Sequence, residues 1–178
     1  MRIGRWDIEG EVPDIPKMVV IGAPHTSAWD FPIGMLAVRA LGLRARYLGK
    51  HTLFRRPFGW FFRMLGGIPV DRSAPGGLIA QSVAAFENAD ELRLLIAPEG
   101  TRNALPHWRS GFYEIARGSG VPVLPGAVDG KRRRIVIGEP ITVTGDVAAD
   151  MEKIRSFYEG FEGIKPGRGG SIRLASEA

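Results

Sequence analysis

Two short, nearly unbroken apolar runs, each stopped by a proline, constrain this chain more than anything else in it. They are Met18-Val19-Val20-Ile21-Gly22-Ala23 before Pro24 and Leu92-Arg93-Leu94-Leu95-Ile96-Ala97 before Pro98. Runs of this length, rich in branched aliphatics and lacking polar alternation, read as buried strands. Around them the period changes. Ile33, Leu36, Ala37 and Ala40 recur at helical spacing up to Gly42, and Ile79, Val83 and Phe86 mark one stripe of a helix over 78–91. Further strands are predicted at 46–49, 67–71 and 121–128, with edge strands at 133–138 and 141–143. Helices are predicted near 111–117 and over about 147–160, and Pro57 opens or kinks one within 52–65. Strands alternating with helices along most of a chain argue for an α/β layer fold. With 178 residues, no internal repeat and no linker, residues 1–178 form one domain, and the Gly-rich, basic stretch 161–178 is expected to be a flexible tail.

Composition removes several classes of chemistry. There is no cysteine, which excludes disulfide frameworks, Cys-based zinc sites and thiol nucleophiles. No apolar run approaches the length of about 20 residues that a spanning helix needs, and the first residues lack a signal-peptide core. Twenty-four Lys and Arg against 19 Asp and Glu leave a net charge of +5, which suits an anionic partner without choosing among nucleic acid, lipid head groups and phosphorylated small molecules.

Placed residues narrow the choice. His25 lies just past a buried strand and just before a helix, where open α/β sheets build their sites. Asp30 follows in His25-Thr26-Ser27-Ala28-Trp29-Asp30. Five residues of continuous helix would leave the two side chains about 140° apart. If the helix starts only at Ser27, His25 can fold back toward Asp30, whose carboxylate then accepts from Nδ1 and leaves Nε2 to take a proton. The competing reading is a capping box over Ser27–Asp30, in which Asp30 only satisfies the helix start and Ser27 is a cap. His51 and His107 have no spaced carboxylate partner and read as surface or packing residues. Without a Gly-x-Ser-x-Gly elbow or a cysteine there is no evident nucleophile, so a proton taken by His25 belongs to a bound substrate hydroxyl. A second constellation, Glu99-Gly100-Thr101-Arg102, follows the second buried strand. Gly100 permits a tight turn, Glu99 can accept from hydroxyls, and Arg102 offers a planar fork for phosphate. A third, Gly67-Ile68-Pro69-Val70-Asp71-Arg72, can bring Arg72 to the same strand-end face. Each arginine taken singly is equally a solvated surface charge.

These motifs resemble the glycerolipid acyltransferase family, of the 1-acylglycerol-3-phosphate acyltransferase type. Four occur in the family's order: His25-x4-Asp30, Gly67 to Arg72, Glu99 to Arg102, and Val121-Pro122-Val123-Leu124-Pro125. The resemblance implies a single-layer, mostly parallel central sheet flanked by helices. It implies an enzyme of phospholipid biosynthesis with His25 as general base, Asp30 as its orienter, and Arg72, Glu99 and Arg102 binding the glycerol and phosphate portion. Gly100 and Thr101 would shape that loop, Pro122 and Pro125 the acyl region, and Lys50 would be an extra phosphate or oxyanion ligand. The co-substrate implied is an acyl-CoA or acyl carrier protein thioester, with no other cofactor and no metal, and the acceptor a lysophospholipid or phosphorylated alcohol. The chain departs from the family in having Pro24 where Asn commonly precedes the His, and in starting its first motif within 25 residues of Met1, with no hydrophobic anchor before it.

The segment 54–65 mixes aromatics with Arg55, Arg56 and Arg63, as an interfacial helix on an anionic membrane would; the alternative is core aromatics under snorkelling arginines. The first reading predicts a cytoplasmic protein, peripheral on the inner face of the membrane. Against the acyltransferase stand a basic nucleic-acid-binding module, suggested by Lys131-Arg132-Arg133-Arg134, and an idle lipid-binding protein of the same fold.

Overall fold

Pro24 and Pro98 fall just past the ends of two strands that lie side by side. The computed structural model describes residues 2–3, 5–70 and 77–177, with backbone alone at Ile3, Lys50 and Leu53. In chain order the elements are β1 (Arg2–Ile3), β2 (Trp6–Glu9), β3 (Lys17–Ala23), α1 (Asp30–Ala40), β4 (Ala45–Lys50), α2 (Gly59–Met64), β5 (Gly67–Val70), α3 (Gly77–Glu87), β6 (Leu92–Ile96), α4 (Gly111–Ser119), β7 (Val123–Asp129), β8 (Arg134–Ile137) and α5 (Val147–Tyr158). The strands form one sheet in the order β1-β2-β8-β7-β3-β6-β4-β5. Only β1–β2 and β7–β8 pair antiparallel.

The strand at the centre explains the unbroken apolar run. In β3, Val19, Ile21 and Ala23 face a core completed by Phe86 of α3, Phe112 and Ile115 of α4, and Met151, Ile154 and Tyr158 of α5. Met18 and Val20 face the opposite side, against Leu43 and, from α1, Val38. Helices on both faces leave no solvent-facing row, so no polar alternation appears. Each aliphatic or phenyl side chain fully removed from water here contributes about 1.5–3 kcal/mol. At the start of α5, the buried Asp150 carboxylate accepts from the Tyr113 hydroxyl at 2.9 Å and from the Thr144 and Gly145 N–H groups at 2.7 and 3.2 Å. Burial pushes its carboxyl up, but these donors together outweigh burial and hold it below the usual carboxylate range.

The single-layer, mostly parallel sheet is as expected, with three differences. The strand expected at an edge over 133–138 is internal: β8 pairs with β7 on one side and, in parallel, with β2 on the other. β2 escapes sequence reading because Trp6-Asp7-Ile8-Glu9 is short and half charged. The expected strand at 141–143 is a single bridge from Ile141 to Val123. The stretch after Gly160, expected to be a free tail, instead lies along the sheet's end. Leu174 is buried and bridges Trp108, Ile172 accepts from the Arg155 guanidinium at 3.1 Å, and Arg155 pairs with Glu177 at 2.6 Å. Its Gly-rich composition hides this because the contacts are tertiary and backbone-mediated.

Candidate active site

Parallel strands send their following loops to one edge of a sheet, and here that edge gathers the motifs. β3 and β6 are neighbours with Ile21 opposite Ile96, so the loops starting at Pro24 and Pro98 emerge together. α1 does not begin until Asp30, and the intervening residues form a turn rather than helix. That turn brings His25 back over Asp30: Nδ1 stands 3.3 Å from Asp30 Oδ2.

Asp30 faces the histidine and its own turn at once. The same Oδ2 accepts the Thr26 and Ser27 N–H groups, each at 2.6 Å, so the carboxylate closes the turn that carries the histidine. Asp30 is buried, whereas the His25 side chain is 26% exposed; the imidazole reaches solvent while its partner does not. Oδ1 of Asp30 is buried without a hydrogen-bond partner among the described residues. All of the satisfied valence therefore lies on the oxygen facing the histidine. Ser27 is not the side-chain cap of α1; its hydroxyl accepts from the Trp29 N–H at 3.3 Å within the turn.

Glu99 belongs to this arrangement in a way the sequence did not reveal. Its Oε2 accepts the His25 backbone N–H at 2.6 Å across 74 residues, and the side chain is buried. Burial pushes its carboxyl above the usual range, opposed by the hydrogen bond from the His25 N–H, by His25 itself and by the Gly170 N–H. One carboxylate thus holds the histidine's backbone and another faces its ring. Next to it Gly100 has φ +65°, so the position needs glycine for its conformation. Thr101 Oγ1 accepts from the Asn103 N–H at 3.4 Å, and Arg102 is exposed with no hydrogen bond or ion pair among the described residues.

Lys50 ends β4 opposite Val70, the last residue of β5, so the backbone leads both toward this edge. Arg72 and the Lys50 side chain lie outside the described residues. Pro122 lies just before β7 and Pro125 within it, their carbonyls accepting from Val19 and Gly138 at 3.0 and 2.9 Å. His51 and His107 are both exposed. Three of the four residues in the basic run are tied to carboxylates: Lys131 to Glu162 at 2.6 Å, Arg132 to Asp129 at 3.0 Å and Arg134 to Glu9 at 2.9 Å.

The segment 54–65 divides. Phe54 is buried, under α2, while Phe58, Trp60 and Met64 are 65–67% exposed. Phe31, beside Asp30, stacks edge-on against Tyr47 at 5.5 Å, and the Tyr47 hydroxyl donates to the Phe62 carbonyl at 3.3 Å, which joins the start of α1 to α2. Trp29 is 68% exposed on that side.

Comparison with known proteins agrees with this architecture. A family model described as Acyltransferase matches residues 7–129, which include all four motifs. A 1-acyl-sn-glycerol-3-phosphate acyltransferase of Streptococcus pneumoniae is 26% identical over 179 residues, an alignment covering 89% of this chain and 64% of that protein. The chain thus spans somewhat less than two thirds of that relative's length. The crystal structure of the 1-acyl-sn-glycerophosphate (LPA) acyltransferase PlsC from Thermotoga maritima superposes with a TM-score of 0.57 at 21% identity, over 86% of this chain and 67% of that one, a likeness of fold.

Proposed function

The chain belongs to the acyltransferase family, and from that premise we propose that it moves a fatty acyl group from an acyl thioester to a hydroxyl of a 1-acylglycerol-3-phosphate-like acceptor. The observation that carries the reading is the His25–Asp30 pair, a partly exposed imidazole with Nδ1 3.3 Å from a buried carboxylate. Asp30 accepts from Nδ1–H and so fixes the tautomer whose Nε2 is the base. Nε2 takes the acceptor's hydroxyl proton as its oxygen attacks the thioester carbonyl. The tetrahedral intermediate then expels the thiolate, which recovers that proton from the imidazolium. A thiolate leaves readily, so no acyl-enzyme is needed, in keeping with a chain that has no cysteine. Arg102, exposed and unpaired among the described residues, suits the acceptor's phosphate. Arg72 and Lys50 are proposed to bind that phosphate or the oxyanion on the strength of the motif order alone.

The test is a mass-spectrometric screen of the purified protein with mixed acyl-CoA and acyl carrier protein thioesters against a panel of lysophospholipids and glycerol phosphates. An acylated, phosphorylated product is expected, and Arg102→Ala should raise the acceptor KM about tenfold while moving that of the thioester little. Salt-sensitive nucleic-acid binding without thioester turnover would favour the basic-module reading, and lipid binding without turnover the idle one.

The acceptor's chemistry requires access to a lipid surface, and we place that contact on α2 and the adjoining start of α1. The stretch 31–70 contains seven Lys and Arg and no Asp or Glu, in the region that exposes Phe58, Trp60 and Met64. Cations around an exposed apolar patch suit an anionic bilayer. Trp60→Ser with Met64→Ser should weaken partitioning onto phosphatidylglycerol vesicles at least about tenfold, the effect of losing two buried side chains. Unchanged sedimentation with those vesicles would remove this face from consideration.

A further inference from the structure

We propose that the C-terminal strap over residues 163–173 is a working part of the catalytic site, and that Thr26 is the positioning residue through which it acts. The strap lies beyond residue 129, where the family match ends. Its contacts fall on Thr26, the residue that follows the histidine. Thr26 is 1% exposed; its N–H donates to Asp30 Oδ2 at 2.6 Å. On its other side Thr26 Oγ1 accepts the Lys165 N–H at 3.1 Å. Gly163 packs so closely on the same side chain that a Cβ there would lie 2.4 Å from Oγ1 and 2.5 Å from Cγ2. At the other end of the strap, Gly170 lines one cavity with Glu99, the carboxylate that holds the His25 backbone.

The strap is itself fixed at points independent of the histidine. Ser171 N–H donates to the Leu105 carbonyl at 3.2 Å, Trp108 N–H to the Arg173 carbonyl at 2.8 Å, and Gly130 N–H to the Glu162 carbonyl at 2.8 Å. Gly170 runs so near Leu105 that a Cβ would fall 2.7 Å from its carbonyl oxygen. Between these moorings a cavity of about 290 Å³ separates the strap from Pro24, Glu99, Trp108 and Tyr158. The strap therefore bridges this space rather than filling it, and reaches the catalytic turn through Thr26. A base whose ring must keep its contact with Asp30 while a substrate binds needs its backbone restrained on both sides.

This inference rests on His25 and Asp30 being the catalytic pair, and the test separates the two. Thr26→Val removes the oxygen that accepts the strap's N–H while preserving the side-chain shape; Thr26→Ser keeps that oxygen. Thr26→Val should lower kcat about tenfold, leave KM for thioester and acceptor within about twofold and leave the folded fraction unchanged, and Thr26→Ser should restore most of the rate. Gly163→Ala, acting from the strap side, should give the same split between kcat and KM, and stands in if Thr26→Val does not fold. Normal kcat in folded Thr26→Val, a loss that Thr26→Ser shares in full, or a loss that follows the folded fraction would each overturn the positioning role. Loss of the pair's catalytic role reads out differently, as wild-type turnover retained by His25→Ala.

Discussion

His25→Ala is expected to lower acyl transfer from a thioester by about a thousandfold, within the 10²–10⁴ range that a positioned general base contributes, and to leave the protein folded. The size of the effect follows from the missing nucleophile. With no acyl-enzyme in the proposed mechanism, removal of the acceptor's proton falls on one imidazole. The intact fold follows from how the residue is held. The interaction that ties His25 to the body is its backbone N–H on Glu99 at 2.6 Å, which alanine keeps, and the ring's own partner is Asp30 at 3.3 Å. Turnover with the glycerophosphate acceptor, measured beside a thermal melt, decides the matter. A folded variant with near-normal rates would remove His25 from the mechanism and leave the thioester reaction without a base.

The legibility of this site in the sequence depended on where its residues stand relative to the strands. Residues 25 and 99 could be placed at one sheet edge because each follows an apolar run with a proline stop, and β3 and β6 are indeed parallel neighbours. The folding of His25 back over Asp30 was conditional on a late helix start, and α1 begins at Asp30 itself. Glu99 was legible as a strand-end carboxylate but not in its role. Composition suggested a ligand for substrate hydroxyls, whereas burial and the His25 N–H assign one of its oxygens to the protein. The strap was illegible for a related reason. Lys165-Pro166-Gly167-Arg168-Gly169-Gly170 has no apolar period, and its order comes from backbone groups meeting Thr26 and Leu105, partners distant in sequence. Local composition reports on hydrophobic burial far better than on hydrogen bonds between remote backbones.

Asp30→Asn separates the turn contacts of one carboxylate oxygen from its proposed effect on His25, and it should lower kcat by about 10²–10³-fold without unfolding the turn. An Asn carbonyl placed where Oδ2 stands can still accept from the Thr26 and Ser27 N–H groups, so the turn stays closed. It can also accept from His25 Nδ1–H, so the ring stays in place. What disappears is the negative charge, and with it the stabilisation of the imidazolium that forms as the acceptor hydroxyl gives up its proton. The asparagine NH₂ would take the place of Oδ1, which is buried and has no partner among the described residues, so the variant carries a buried donor in need of an acceptor and a cost of about 1–3 kcal/mol. Asp30→Ala should do both kinds of damage, since it also leaves the two turn N–H groups unsatisfied. Comparing melts and kcat across the two variants therefore tells whether Asp30 is only a cap. If the Asn variant turns over at the wild-type rate while the Ala variant loses stability, the carboxylate serves the turn and not the reaction. If the Asn variant melts above the Ala variant and still loses its rate, the charge acts on the imidazole, and the short turn that positions it is as much a part of the catalyst as the histidine.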